Sequence, residues 1–136
     1  MHFEVSLFPL LLATALNISL GALWYSSVLF GKIWMREAHI TQENIEASHR
    51  NMAKIYLLTT LSAFFTSYLM GILVANLRID TFYTGVVLAC ILWLGTHVPT
   101  LVKNWGFEER SVLLGLINHG YDLAVFIITA LVFIMV

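Results

Sequence analysis

Four apolar runs, each long enough to cross a lipid bilayer, limit this chain more than any other feature. They cover residues 5–30, 53–77, 82–102 and 111–136. A hydrocarbon core of roughly 30 Å takes about 20 helical residues, so each run suffices for one crossing. Gly and Ala are scattered through the runs and the period-two alternation of barrel strands is absent, which reads as helix. Composition points the same way. Of 136 residues 60% are apolar and 11% charged, where a soluble domain carries about 25% charged residues. The predicted fold is all-α: a polytopic membrane protein, one domain over 1–136, with four transmembrane helices and a short cytoplasmic interfacial helix between the first two. A water-soluble enzyme, a disordered tail and a disulfide-stapled secreted module are excluded.

The net charge of −1 offers no basic face, so nucleic acid is not an expected partner. The single cysteine, Cys90, cannot form an intrachain disulfide and reads as a small hydrophobe in an apolar run. Ala13-Thr14-Ala15 imitates a signal-peptide cleavage site, but the residues before it hold Glu4 and no Lys or Arg. The first run therefore reads as a retained helix, with Pro9 tolerated in its first turns.

Positive residues set the expected orientation. Lys32, Arg36, Arg50 and Lys54 follow the first run, Lys103 and Arg110 follow the third, and Arg78 alone lies on the other side. This asymmetry places the 32–52 loop and the connection after the third span in the cytoplasm, and both termini in the periplasm or exterior. Within the 32–52 loop, Ile33, Trp34, Met35, Ala38 and Ile40 supply apolar surface. Thr41-Gln42-Glu43 then begins a short polar helix at the interface, leading toward the second span.

Small residues let helix backbones approach closely in lipid. Thr59, Ala63, Ser67, Gly71 and Ala75 recur at every fourth position of the second span and should face protein. The first span has a shorter version in Ala13, Asn17 and Gly21, and the third has Gly85 and Ala89. One such face would suit a homo-oligomer.

The residues that a bilayer should reject carry the functional signal. Asp122, His119, His97, Asn118 and Asn17 all lie inside spans, where a charged group near the centre costs about 3 kcal/mol or more. At 1.5 Å per residue, His97 sits about 9 Å from Lys103, His119 about 13 Å from Arg110, and Trp24 and Tyr25 about 11 Å from Lys32. Tyr56, Thr59 and Thr60 occupy the same slab, so all four spans bring polar or aromatic groups to the cytoplasmic half. Gly115, Asn118, His119 and Asp122 share one side of the last helix. Pro99 leaves the Gly95 carbonyl without its helical donor, beside Thr96 and His97, a kink able to line a polar cavity.

Three readings are open for this cluster. It is a hydrogen-bonded core network holding the helices in register. It is a small-molecule or proton site, with Asp122 and His119 central and Asn118, His97, Trp24 and Tyr25 lining a pocket. Or it is a metal site with His97, His119 and Asp122 as ligands. No tight ligand-spacing motif is present, so no metal and no cofactor is assigned from spacing. No nucleophile–base pair, phosphate loop or HExxH pattern occurs, so no catalytic residue is named and the chain reads as non-enzymatic.

Leu20-Gly21-Ala22-Leu23-Trp24-Tyr25-Ser26, followed by Phe30-Gly31-Lys32 and Trp34-Met35, resembles the opening signature of a bacterial membrane-protein family. So do Met52-Ala53-Lys54 with Tyr56-Leu57-Leu58, then Leu92-Trp93-Leu94-Gly95, and the closing Ile117-Asn118-His119-Gly120-Tyr121. The family is catalogued as domain of unknown function seventeen-sixty-one. The likeness spans essentially the whole chain, and the tryptophan–tyrosine block is its most specific part. It implies a small four-helix protein of the bacterial inner membrane, with no established activity, cofactor or catalytic residue. Relatives often carry His where this chain has Asp122, a departure that argues against a fixed metal chemistry at that position. The expected function is binding or transport of a small solute or protons in a buried polar pocket. The alternative is an accessory or scaffold subunit of a larger membrane complex.

Overall fold

The computed structural model describes residues 1–48 and 51–136; Arg50, one of the positive loop residues, lies outside them. Six helices follow in order: α1 (Leu7–Trp24), α2 (Gly31–Glu37), α3 (Gln42–Ala47), α4 (Met52–Asn76), α5 (Phe82–Gly106) and α6 (Val112–Met135). No strand occurs among the described residues. Helices α1, α4, α5 and α6 are long and apolar enough to cross a membrane, with mean hydropathies of 1.7 or 1.8. The chain is an all-helical, multi-pass membrane protein.

Polar caps set where most helices begin. Asn51 accepts from the Lys54 N–H, Thr81 from that of Thr84 and Ser111 from that of Leu114, so each satisfies a donor that the first helical turn leaves free. Thr41 caps α3 in the same way, in a reciprocal box with Asn44. The cap falls where the Thr41-Gln42-Glu43 signal places it.

The loop departs from expectation by holding a second short helix, α2. Trp34 of α2 sets its ring edge against Tyr25, with centroids 5.3 Å apart, so the apolar side of the loop folds back onto the bundle. The Ser111 hydroxyl also donates to Glu37 Oε2 at 2.6 Å, tying α2 to the start of α6. That bond holds the Glu37 carboxyl below the usual carboxylate range.

The 5–30 run is helix only in part. α1 stops at Trp24 after about 27 Å of rise, and a tight turn follows. The Ser26 hydroxyl donates to the Leu23 carbonyl at 2.6 Å, the Phe30 N–H to Trp24 at 3.0 Å and the Gly31 N–H to Ser26 at 2.8 Å. A Cβ at Gly31 would fall onto the backbone carbonyls of Tyr25 and Ser26. Apolar character does not locate such a stop, because Val28, Leu29 and Phe30 carry the apolar run on past Tyr25, Ser26 and Ser27.

α6 is the central element. It packs against α5, α1 and α4, and α1 also packs against α4. The buried apolar core joins Met70 and Val74 of α4 to Leu88 of α5 and Ala130 of α6. Away from that end α4 loses its cover, and every residue from Met52 to Ser62 is exposed. The small-residue stripe of α4 turns inward at Ala63, Ser67 and Gly71, whereas Thr59 and Ala75 at its ends are exposed. A strict four-residue step advances about 40° beyond a full turn, so the stripe winds off the contact at both ends. Gly21 meets Tyr121 closely, a Cβ there lying 3.0 Å from its hydroxyl.

Candidate functional site

Where α4 and α5 part, α6 presents its polar face. The three- and four-residue steps from Gly115 to Asp122 put Asn118, His119 and Asp122 along one side of α6, and α5 delivers His97 from opposite. His97 Nδ1 lies 3.0 Å from Asp122 Oδ2 and 3.2 Å from His119 Nδ1, and His119 Nδ1 lies 3.4 Å from the same Oδ2. One carboxylate oxygen and two imidazole nitrogens thus form a near-equilateral triangle. The three side chains are 24%, 12% and 32% exposed for His97, His119 and Asp122, enclosed but reachable. Phe126 sets its ring against His97 at 5.2 Å and fixes that imidazole's orientation.

Two corners of the triangle, His97 and Asp122, lie on the wall of a cavity of about 270 Å³, with His119 behind them and off that wall. Its wall includes Thr59, Ser62 and Thr66 from α4, facing His97 and Asp122, with Tyr121 and Asn17 beside them. Thr59, Ser62 and Thr66 stand three and four residues apart, hence on one helical face. That spacing was legible in the chain, but Ser and Thr are tolerated in spans as ordinary packing residues and gave no reason to select Ser62 or Thr66.

Two tryptophans hold α6 in place around the site. Trp24 Nε1 donates to the Ile117 carbonyl at 3.0 Å, and Trp93 Nε1 to that of His119 at 2.7 Å. In an apolar surrounding an indole N–H needs an acceptor, and the second lone pair of a helical carbonyl supplies one. Tyr25 donates to Asn118 Oδ1 at 2.9 Å, and Tyr121 to both oxygens of Asn17, at 2.7 Å for Oδ1 and 3.0 Å for the carbonyl. The Tyr25 and Tyr121 rings meet edge on at 5.6 Å.

His97, His119 and Asp122, expected to converge from two helices, do so. Trp24, Tyr25 and Asn118, expected to line the same pocket, form a separate aromatic and amide cluster between α1 and α6 and are not on the cavity wall. Their polar atoms are taken up by contacts with α6, which leaves them positioning residues. Gly95 points into open space and Pro99 is exposed, so the free carbonyl before Pro99 builds no wall of this cavity. Trp93 is the positioning residue that sequence reasoning missed; an aromatic in a span carries no mark of the carbonyl that it will find.

The arrangement combines one formal negative charge, two neutral or cationic imidazoles and a ring of hydroxyls in a cleft open to the side of the bundle. Such a set can recognise a cation or a polar solute. The donor atoms of His97, His119 and Asp122 also lie within 4.8 Å of one another, close enough to share one ion.

No curated protein and no solved structure matches the chain. A family profile described as "Protein of unknown function (DUF1761)" matches residues 8–134, nearly the full length. That stretch takes in all six helices but for the first residue of α1 and the last of α6, including the aromatic block at the end of α1 and the His–Asp face of α6, and the chain belongs to this family.

Proposed function

We propose that the protein binds a small polar solute in the cleft between α4 and α5 and passes it across the membrane, with Asp122 as the recognising charge. The observation that carries this reading is the carboxylate of Asp122, held by two imidazoles on the wall of a 270 Å³ cavity inside spans that should exclude charge. A carboxylate kept there without a lysine or arginine partner among the described residues is poised to meet a charge or dipole that arrives from outside. His97 and His119 orient it, and Thr59, Ser62 and Thr66 offer hydroxyls to the solute's other side. With the Lys and Arg residues facing the cytoplasm of a bacterial inner membrane, the site lies in the cytoplasmic half and both termini lie outside.

Proteoliposomes on a solid support report solute-evoked currents under an imposed pH or potential gradient. Asp122→Asn should abolish the current that the native chain gives; equal currents from both would remove Asp122 from the function.

A second reading draws on the bare first half of α4. Eleven consecutive positions without cover favour a helix that rests against another polypeptide, whether a second copy or a larger membrane complex. Gentle solubilisation and size-exclusion chromatography with light scattering separate these cases. A stoichiometric foreign subunit supports the accessory role, and self-oligomers alone count against it.

A further inference from the structure

Deepening the reading of the cleft as a solute site, we propose that His97, His119 and Asp122 together form a three-donor site for a divalent first-row transition-metal ion, of the Zn²⁺ class. The inference starts from the shape of the triangle. An ion bound tetrahedrally at about 2.0–2.2 Å holds its ligand atoms about 3.3–3.6 Å apart. The observed edges of 3.0, 3.2 and 3.4 Å come close to that spacing without any rearrangement of α5 or α6.

With the carboxylate ionised, hydrogen bonding alone accounts for the triangle poorly. Each Nδ1 brings at most one proton and the ionised carboxylate brings none. If both imidazoles carry Nδ1 protons, the two hydrogens crowd onto one oxygen with their nitrogens 3.2 Å apart. If only one does, the other nitrogen turns its lone pair toward the carboxylate at the remaining edge. A cation at the centre satisfies all three edges at once, with both imidazoles in the Nε2–H tautomer.

The donor types select the class of ion. Two imidazole nitrogens and one carboxylate oxygen suit Zn²⁺, Co²⁺, Ni²⁺ or Cu²⁺, whereas Mg²⁺ and Ca²⁺ ask for six or more oxygens. Three protein ligands leave one position open, as in sites that exchange what they hold. Here His97 and Asp122 share the cavity wall with Thr59, Ser62 and Thr66, which gives a fourth ligand a way in. Trp93, bonded to the His119 carbonyl, and Phe126, against the His97 ring, keep the two imidazoles in register.

The test uses the full untagged chain in detergent and Co²⁺ as the probe. The expected result is one Co²⁺ per chain with the intense visible bands of a four-coordinate ion, displaced by Zn²⁺. His97→Ala and His119→Ala should each weaken binding by more than about 100-fold, the upper end of what loss of a mere supporting contact costs, while His39→Ala leaves it unchanged. Zn²⁺ should also shield His97 and His119 of the native chain from diethylpyrocarbonate, read by mass spectrometry, which identifies the ligands even where a variant fails to fold. Absence of four-coordinate bands at millimolar Co²⁺, or unshielded His97 and His119, overturns the ion site. An Asp122-dependent current without metal binding sinks this inference alone, and metal binding without any current sinks the transport reading alone.

Discussion

Gly31 and Tyr121 show how single atoms decide this bundle. The turn after α1 leaves no room for a side chain at Gly31, where an added carbon meets backbone carbonyls that cannot swing away. Gly31→Ala should therefore cost more than about 2 kcal/mol, seen as a large drop in thermal midpoint in detergent and loss of the monodisperse peak. Tyr121 carries a different kind of constraint. Its hydroxyl satisfies the side chain of Asn17, which is only 8% exposed. Tyr121→Phe keeps the ring and removes the donor, so it should destabilise by about 1–3 kcal/mol, the cost of a buried acceptor left unpaired. Unfolding in mixed micelles measures it, and an unchanged midpoint would show that water replaces the hydroxyl.

At the scale of elements, the start of α6 is a joint. Ser111 caps the helix and at the same time donates to Glu37 of α2, so one hydroxyl couples a helix terminus to the interfacial loop. Ser111→Ala should cost about 1 kcal/mol from the cap and free α2. The pH dependence has a definite sign. Glu37 has a folded-state pKa below its ordinary value of 4.5, chiefly through the Ser111 hydroxyl. Its contribution is present above 4.5 and is lost as pH falls through the lowered value. Glu37→Gln, which resembles the protonated carboxyl, should lower the midpoint at neutral pH toward its acid value and so flatten that limb of a melting-temperature profile. The far end of α4 offers a gain. Arg78 closes that helix with φ 53°, and its neighbour Ile79 donates back to Val74, a left-handed terminus that suits Gly. Arg78→Gly should raise the thermal midpoint by the equivalent of about 0.5–1 kcal/mol; a fall would place the Arg78 side chain among the stabilising contacts.

For the whole molecule, the governing fact is asymmetry of packing. The helices close on one another around Met70, Val74, Leu88 and Ala130 and open around the His–Asp triangle. A solute cleft must admit water, and a lipid-filled groove would not. Single cysteines at Thr59 and Ser62, in a Cys90→Ser background, should react with a membrane-impermeant maleimide in native membranes, while one at the fully buried Ser67 resists. Equal inertness at all three positions would mean that acyl chains or another polypeptide fill the opening.

Chain chemistry alone determined the class and the number of crossings, because transfer of backbone and apolar side chains into hydrocarbon depends on composition over about 20 residues and hardly on partners. The Thr41 cap and the common face of Asn118, His119 and Asp122 were equally readable, being properties of one helix. The stop at Trp24, the second loop helix and the pairing of Trp24 and Trp93 with carbonyls of α6 were not, since each depends on what a neighbouring segment brings to it. The site divides along the same line. That Asp122 and two histidines would avoid lipid follows from the energy of burying charge. That their three donor atoms stand within 3.4 Å of one another, while Tyr25 and Asn118 turn to a bond of their own, was decided only when α5 and α6 packed side by side.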